Sequence, residues 1–281
     1  MRPEVRWPFD PSAVGALVDD AARLHMEARA GRGFRLVSDG PSGPVTTVDL
    51  EVQRCLEAEL ASLAERVRFV GEESEEPWTE VLASNDPDRL CWVLDPLDGT
   101  ASFLRGENSF GVQLALLRGA TVIGAWINCA ALGLSAAAWD GAPLVRTGPW
   151  PTPRPIPTIL ADVEAVIAAG DFAPDHRCRT DQLAAELAGS RGTASCAVDY
   201  LELVGGAADV LVYRRSLPWD HAPGVYLAQR AGASVERFDG QPYRIHDVAA
   251  GIFAARSPEV AVHRDWFVPR QDGHGGQGGG R

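Results

Sequence analysis

The sequence predicts a mixed α+β and α/β protein, on three observations. Two amphipathic helical patterns open the chain, four short apolar runs follow, and beyond residue 150 strand-like runs alternate with helical ones. Of 281 residues, 46% are hydrophobic and 23% charged, a composition that supplies a sizeable core without covalent staples.

Residues 11–30 place apolar side chains at helical spacing, with Ser12 positioned to cap the N-terminus. A polar, glycine-containing stretch, 31–43, separates them from a second helix over 49–66, whose apolar face is Leu50, Val52, Leu56, Leu60 and Leu63. Residues 68–70, 91–94, 110–117 and 121–128 are apolar or β-branched runs and read as strands. The 21 residues 119–139 hold no charge, a length that suffices to cross a bilayer. Gly119, Gly124, Asn128 and Gly133 interrupt that stretch, so it reads instead as soluble structure, with two strands joined at Arg118-Gly119.

Residues 150–157 (WPTPRPIP) hold four prolines and mark the boundary between an N-terminal α+β half, 1–150, and a C-terminal α/β half, 151–270. In the second half, strands are expected near 158–161 and 209–213, and helices near 180–189 and 219–232. The glycine-rich end, 271–281, reads as a disordered tail.

All 26 basic residues are Arg, which excludes Schiff-base, pyridoxal-phosphate, P-loop and kinase-type lysine chemistry. The 38 acidic residues leave a net charge of −12, so a nucleic-acid polymer is not an expected partner. Cys55, Cys91, Cys129, Cys178 and Cys196 are odd in number and scattered, as expected of reduced thiols in a cytoplasmic chain. Residues 1–10 lack the apolar core of a signal peptide, and no membrane partner is expected.

The most informative segment is CWVLDPLDGT, residues 91–100, where an apolar strand runs into two aspartates. Pro96 fixes the backbone as the strand ends, so Asp95, the Leu97 carbonyl and Asp98 can turn toward one point. Three oxygens on one turn suit a hard divalent cation such as Mg²⁺. Gly99 and Thr100 follow at a potential helical turn, whose N–H groups favour an anion. Cation ligands beside anion donors describe a site for a metal-bound phosphate; the alternative for this motif alone is an Asp-rich turn.

Three further acidic groups carry two readings each. Glu72 and Glu73, in G-E-E-S after an apolar run, are a metal ligand and its neighbour on an extended backbone, or a solvated loop. Asp220, in Trp219-Asp220-His221, caps a helix or ligates a metal. Asp49, in Thr46-Thr47-Val48-Asp49, precedes a helix, and capping alone would explain it.

In order and spacing, T-x-x-D, G-E-E-S, D-P-L-D-G-T and W-D-x-x-x-G resemble the signature set of the inositol monophosphatase family, metal-dependent and lithium-sensitive phosphomonoesterases. The resemblance implies a layered α-β-α-β-α sandwich, shared with fructose-1,6-bisphosphatase, in a homodimer. It implies that Glu72, Asp95 and the Leu97 carbonyl bind one Mg²⁺, that Asp95, Asp98 and Asp220 bind a second, and that Glu72 serves a weaker third. Asp49 and Thr100 would orient the attacking water, while N–H groups of Gly99 and Thr100 hold the phosphate of a small phosphorylated metabolite.

Two departures from the family pattern bear on the substrate. Ala194-Ser195-Cys196 stands where the family carries G-[ST]-A, leaving Ser195 as the expected substrate contact. Tyr213 stands where inositol-specific members carry a Glu that binds substrate hydroxyls, and a phenol lacks that acceptor pair. Arg214 or Arg215, if turned into the cleft, could hold a second phosphate or carboxylate. The expected function is therefore Mg²⁺-dependent hydrolysis of a small polyol, sugar or related phosphate. The alternatives are a bisphosphorylated substrate, histidinol phosphate, an aspartyl-phosphate mechanism, or a non-catalytic metabolite-binding protein.

Overall fold

The computed structural model describes residues 7–40, 43–64, 67–83, 86–168, 172 and 182–268, apart from the side chain of Arg32. The expected tail, residues 1–6, Thr180, Cys178, His176 and His274 lie outside the described residues.

Helix α1 (Pro11–Glu27) and helix α2 (Thr47–Leu63) flank a hairpin of β1 (Leu36–Gly40) and β2 (Gly43–Thr46). Strand β3 (Arg68–Gly71) and the short α3 (Trp78–Leu82) lead to β4 (Leu90–Asp98), α4 (Thr100–Leu104), β5 (Gly111–Arg118), β6 (Thr121–Cys129), β7 (Leu134–Trp139) and β8 (Val145–Thr147). The second half holds β9 (Glu164–Ile167), β10 (Gly189–Arg191), α5 (Cys196–Gly205), β11 (Val210–Tyr213), α6 (Pro218–Arg230), β12 (Ser234–Glu236), β13 (Ile252–Ala255), α7 (Pro258–Ala261) and α8 (Arg264–Phe267).

Strands β3 to β8 form one sheet in sequence order, antiparallel except for the parallel β3–β4 pair. The second sheet runs β10-β9-β11-β13-β12. Alternation along β4 decides what each face of the first sheet covers. Trp92 and Leu94 pack with Val14, Val18, Val52 and Leu56 of α1 and α2, whereas Cys91 and Val93 pack with Trp219 and Ala222 of α6. Farther along the sheet, Ala125 and Ile127 meet Tyr200, Leu201 and Val225 of α5 and α6. The same cluster includes Leu211 and Ile252 from the second sheet, whose opposite face (Val210, Val212, Phe253) is covered by Val260 and Phe267. The layers are thus α-β-α-β-α, with the central helices shared by both sheets.

Several local expectations change. Asp10, not Ser12, caps α1, because its carboxylate accepts from the Ser12 N–H at 2.9 Å. Thr46 caps α2, so that helix begins before Asp49 and ends at Leu63. Residues 158–161 form no strand. The chain turns through a short 3-10 segment, Leu160–Asp162, and pairs only from Glu164, whose N–H donates to buried Asp209 at 2.8 Å. Of the helix expected over 180–189, residues 182–184 are helical among the described residues, and Gly189 already opens β10. The uncharged stretch 119–139 folds as β6, a 3-10 turn and β7. Among the described residues no helix is long and apolar enough to cross a membrane.

Candidate active site

The site forms where the ends of β3 and β4 meet the N-termini of α2, α5 and α6. Parallel pairing continues past β3 through the Glu72 N–H, which donates to the Leu94 carbonyl at 3.0 Å and carries Glu72 beside Asp95. Glu72 and Glu73 occupy a turn rather than the expected extended backbone. Gln53 on α2 pins that turn by accepting from the Glu73 N–H at 3.1 Å.

Pairing of β4 with β5 is irregular between Asp95 and Asp98, the bulge that the proline imposes. Within it the Leu97 N–H donates to Asp95 Oδ1 at 3.1 Å. His25, reaching from α1, holds the Pro96 carbonyl at 2.8 Å through Nε2. Asp220 is the third residue of α6; no side-chain hydrogen bond caps that helix, so the capping reading fails for it. Carboxylate oxygens of Asp95, Asp98 and Asp220 lie within 4.8 Å of one another, and Glu72 and Asp220 each share a hydrogen bond with Asp95.

Burial, then the charge of Asp220, raises the Glu72 carboxyl to about 9. Burial, then the charge of Glu72, drives Asp95 well above the carboxylate range; burial, then Asp98, raises Asp220 to about 8. Asp98 rises less, to about 6, because Ser195 Oγ and the Ala197 N–H, the latter at 2.7 Å, donate to Asp98 Oδ2. Four such acids cannot ionise together without a cation, and their hard oxygen donors fit Mg²⁺.

Asp49 is buried at the start of α2. Its Oδ2 accepts from the Thr46 N–H at 2.9 Å and the Thr46 hydroxyl at 2.5 Å, closing a capping box at the start of α2. The Thr100 hydroxyl lies 2.7 Å from the Leu97 carbonyl and 3.1 Å from Asp49 Oδ1, so one proton is shared between two acceptors. Gly99 takes a left-handed φ of 82° to turn β4 into α4.

Three expected substrate contacts have other partners. Ser195 caps α5 and donates to Asp98, acting on a carboxylate of the cluster. Tyr213 is buried, and its hydroxyl donates to Asp199 at 2.8 Å. The Arg214 guanidinium donates to the Ala249 carbonyl at 2.6 Å, away from the cluster. Sequence reasoning missed His25, Gln53, Gln113 and Asp199. Gln113 lies opposite Asp95 in the β4–β5 register and donates to the Asp220 carbonyl at 3.2 Å. A lone Gln within an apolar strand was the available signal for it.

Residues 11–266 match the model of the inositol monophosphatase family. The chain belongs to the inositol monophosphatase family. As a member it is a phosphatase, a phosphoric monoester hydrolase. Among curated relatives, the inositol-1-monophosphatase SuhB of Mycobacterium tuberculosis is 34% identical over 220 residues, 74% of each chain. The histidinol-phosphatase of Chlorobaculum parvum is 26% identical over 230 residues, covering 80% of this chain and 84% of that protein. Among solved structures, the extragenic suppressor protein suhB of Bartonella henselae superposes with a TM-score of 0.79 at 20% identity, covering 92% of this chain and 98% of that one. The fold of this inositol monophosphatase family member is therefore the one those proteins share.

Proposed function

We propose that the chain hydrolyses the phosphate monoester of a small polyol, sugar or related metabolite, using Mg²⁺ and water rather than a covalent enzyme intermediate. The observation that carries this reading is the meeting of Asp95, Asp98 and Asp220 within 4.8 Å, with Glu72 bonded to Asp95. Glu72, Asp95 and the Leu97 carbonyl would hold one cation, Asp95, Asp98 and Asp220 a second, and Glu72 a weaker third. When bound, Mg²⁺ supplies positive charge to the phosphoryl oxygens and makes a coordinated water more acidic.

The rest falls to the chain itself. Thr100 Oγ1 accepts from the attacking water while its own proton is held between Leu97 and Asp49. Burial raises the Asp49 carboxyl, which suits it to draw that proton from the hydroxyl. N–H groups of Gly99 and Thr100 receive the phosphate, a role no lysine is needed to fill. This water-orienting pair also weighs against a non-catalytic binding protein, which has no use for it.

Replacing Asp95 by Asn tests the reading. Phosphate release should fall to background across inositol 1-phosphate, histidinol phosphate, fructose 1,6-bisphosphate and 3′-phosphoadenosine 5′-phosphate, with an unchanged near-UV circular dichroism spectrum. Full Mg²⁺-dependent activity in that variant would refute the assignment.

A further inference from the structure

Two residues in the middle of the aspartate turn are held by no strand. In the β4–β5 register Asp95 pairs with Gln113 and Asp98 with Gly111, while Pro96 and Leu97 between them have no partner in β5. Side chains hold them instead. The Leu97 carbonyl accepts from the Thr100 hydroxyl at 2.7 Å, the Leu97 N–H donates to Asp95 Oδ1 at 3.1 Å, and the Pro96 carbonyl lies 2.8 Å from His25 Nε2. The last two bonds belong to one peptide group. His25, on α1, grips the oxygen of the Pro96–Leu97 peptide, and the N–H of that same peptide grips the Asp95 carboxylate.

His25 is fully buried, and its ring makes T-shaped contacts with Phe103, 6.3 Å away, and Phe110, 5.7 Å away. A carbonyl oxygen only accepts, so Nε2 carries the proton of the neutral ring and Nδ1 is bare. Nδ1 has no hydrogen-bond partner among the described residues. An apolar side chain would fill the place between the two phenylalanines without burying an unpaired nitrogen, which is unfavourable. What the imidazole adds is its single hydrogen bond to the turn. A donor on a peptide oxygen also polarises the group and strengthens the bond made by the N–H at its other end.

We propose that His25 is a positioning residue of the metal site, which aims Asp95 through the Pro96–Leu97 peptide. The inference rests on the Mg²⁺ reading above, in which Asp95 serves two cations. It requires neither a known substrate nor contact with any reacting atom.

The test uses the full chain and two variants. The amide nitrogen of Gln stands about as far from the backbone as imidazole Nε2, so His25→Gln keeps the donor, whereas His25→Leu fills the space without one. In calorimetric titration with Mg²⁺, His25→Leu binds about tenfold or more weakly than the unaltered chain, and His25→Gln recovers most of that loss. The Leu97 amide proton, followed by NMR without metal, moves upfield in His25→Leu and returns in His25→Gln. Unchanged Mg²⁺ affinity in His25→Leu overturns the proposal. So does an equal loss in His25→Gln, which would make residue 25 a packing element only, or an Nδ1–H tautomer of His25 in the ring nitrogen shifts of the unaltered chain. If His25→Leu does not fold, His25→Asn, whose amide reaches only to the Nδ1 position, replaces it with the same expectations. If the unaltered chain binds no Mg²⁺, the metal reading fails separately. The Leu97 resonance then decides whether His25 acts on Asp95: a shift that Gln reverses supports it, and no shift overturns it.

Discussion

Gly99 and Gln113 show how single residues set the geometry of the carboxylate cluster. At Gly99 the backbone is left-handed, and an added Cβ would stand 2.5 Å from the Ser109 carbonyl oxygen, 3.0 Å from Ser195 Cβ and 3.1 Å from the Ala194 carbonyl oxygen. Gly99→Ala therefore combines a conformational cost of roughly 1 kcal/mol with a push on the residues that start α5. Urea unfolding should show a loss of about 2 kcal/mol or more, the steric part being relieved only by shifting the Ser109 carbonyl together with the Ala194-Ser195 backbone. Gln113 acts from the opposite side. It is fully buried, bonds the Asp220 carbonyl through Nε2, and leaves Oε1 without a partner among the described residues. Gln113→Leu keeps the volume and removes the donor. Mg²⁺ affinity measured by calorimetry should fall about 10- to 100-fold, as for other residues that orient metal ligands from behind; unchanged affinity would leave Gln113 a packing residue only.

Elements carry the site through their ends, and that governs what could be read in advance. The capping box at α2 is legible as Thr46 followed three residues later by Asp49, yet the same carboxylate also faces Thr100. Thr46→Ala should cost about 1 kcal/mol of stability. It should also lower kcat, because Asp49 loses the hydroxyl that helps to aim it and keeps only the backbone N–H, whereas Thr46→Ser restores both properties. Each motif residue was legible because it sits where a strand or helix ends, and turn chemistry leaves a local mark at such places. Residues that support them from other elements leave none. His25 lies 71 positions from Pro96, and Gln113 lies 107 from Asp220; only packing of α1 and β5 brings them in. The failed strand near 158–161 has a similar cause. Its apolar run has no free neighbour in β9, which already has β10 on one side and β11 on the other, and Arg256 holds the carbonyls of Arg154 and Pro155 just before it.

Across the whole molecule, buried acids and buried histidines respond to pH with opposite signs, and Mg²⁺ decides which sign is seen. Glu72 and Asp220 have folded values of about 9 and about 8, above their ordinary values of 4.5 and 3.8. Their stability contribution is fully present below those ordinary values and is lost as pH rises through 8 and 9, so the metal-free chain weakens toward alkaline pH. Mg²⁺ bound as proposed would keep these carboxylates ionised and stabilise the fold by mass action, by about 2.7 kcal/mol at one hundred times its dissociation constant. The histidines then act against the carboxyls that are not ligands, such as Glu73, which burial raises to about 7. Burial lowers His25 to about 4 and His221 to about 3, from 6.5. Both contribute stability that is present above 6.5 and is lost as pH falls through those folded values, because the unfolded chain takes up protons that the native core refuses. Between pH 7 and pH 5 the loss is about 2 kcal/mol per histidine. Denaturant unfolding in saturating Mg²⁺ should therefore show His25→Gln losing about 2 kcal/mol less than the unaltered chain between pH 7 and pH 5. The metal-free chain should gain stability over the same interval; a fall of equal size without Mg²⁺ would mean that the carboxylates are not held protonated in the native state.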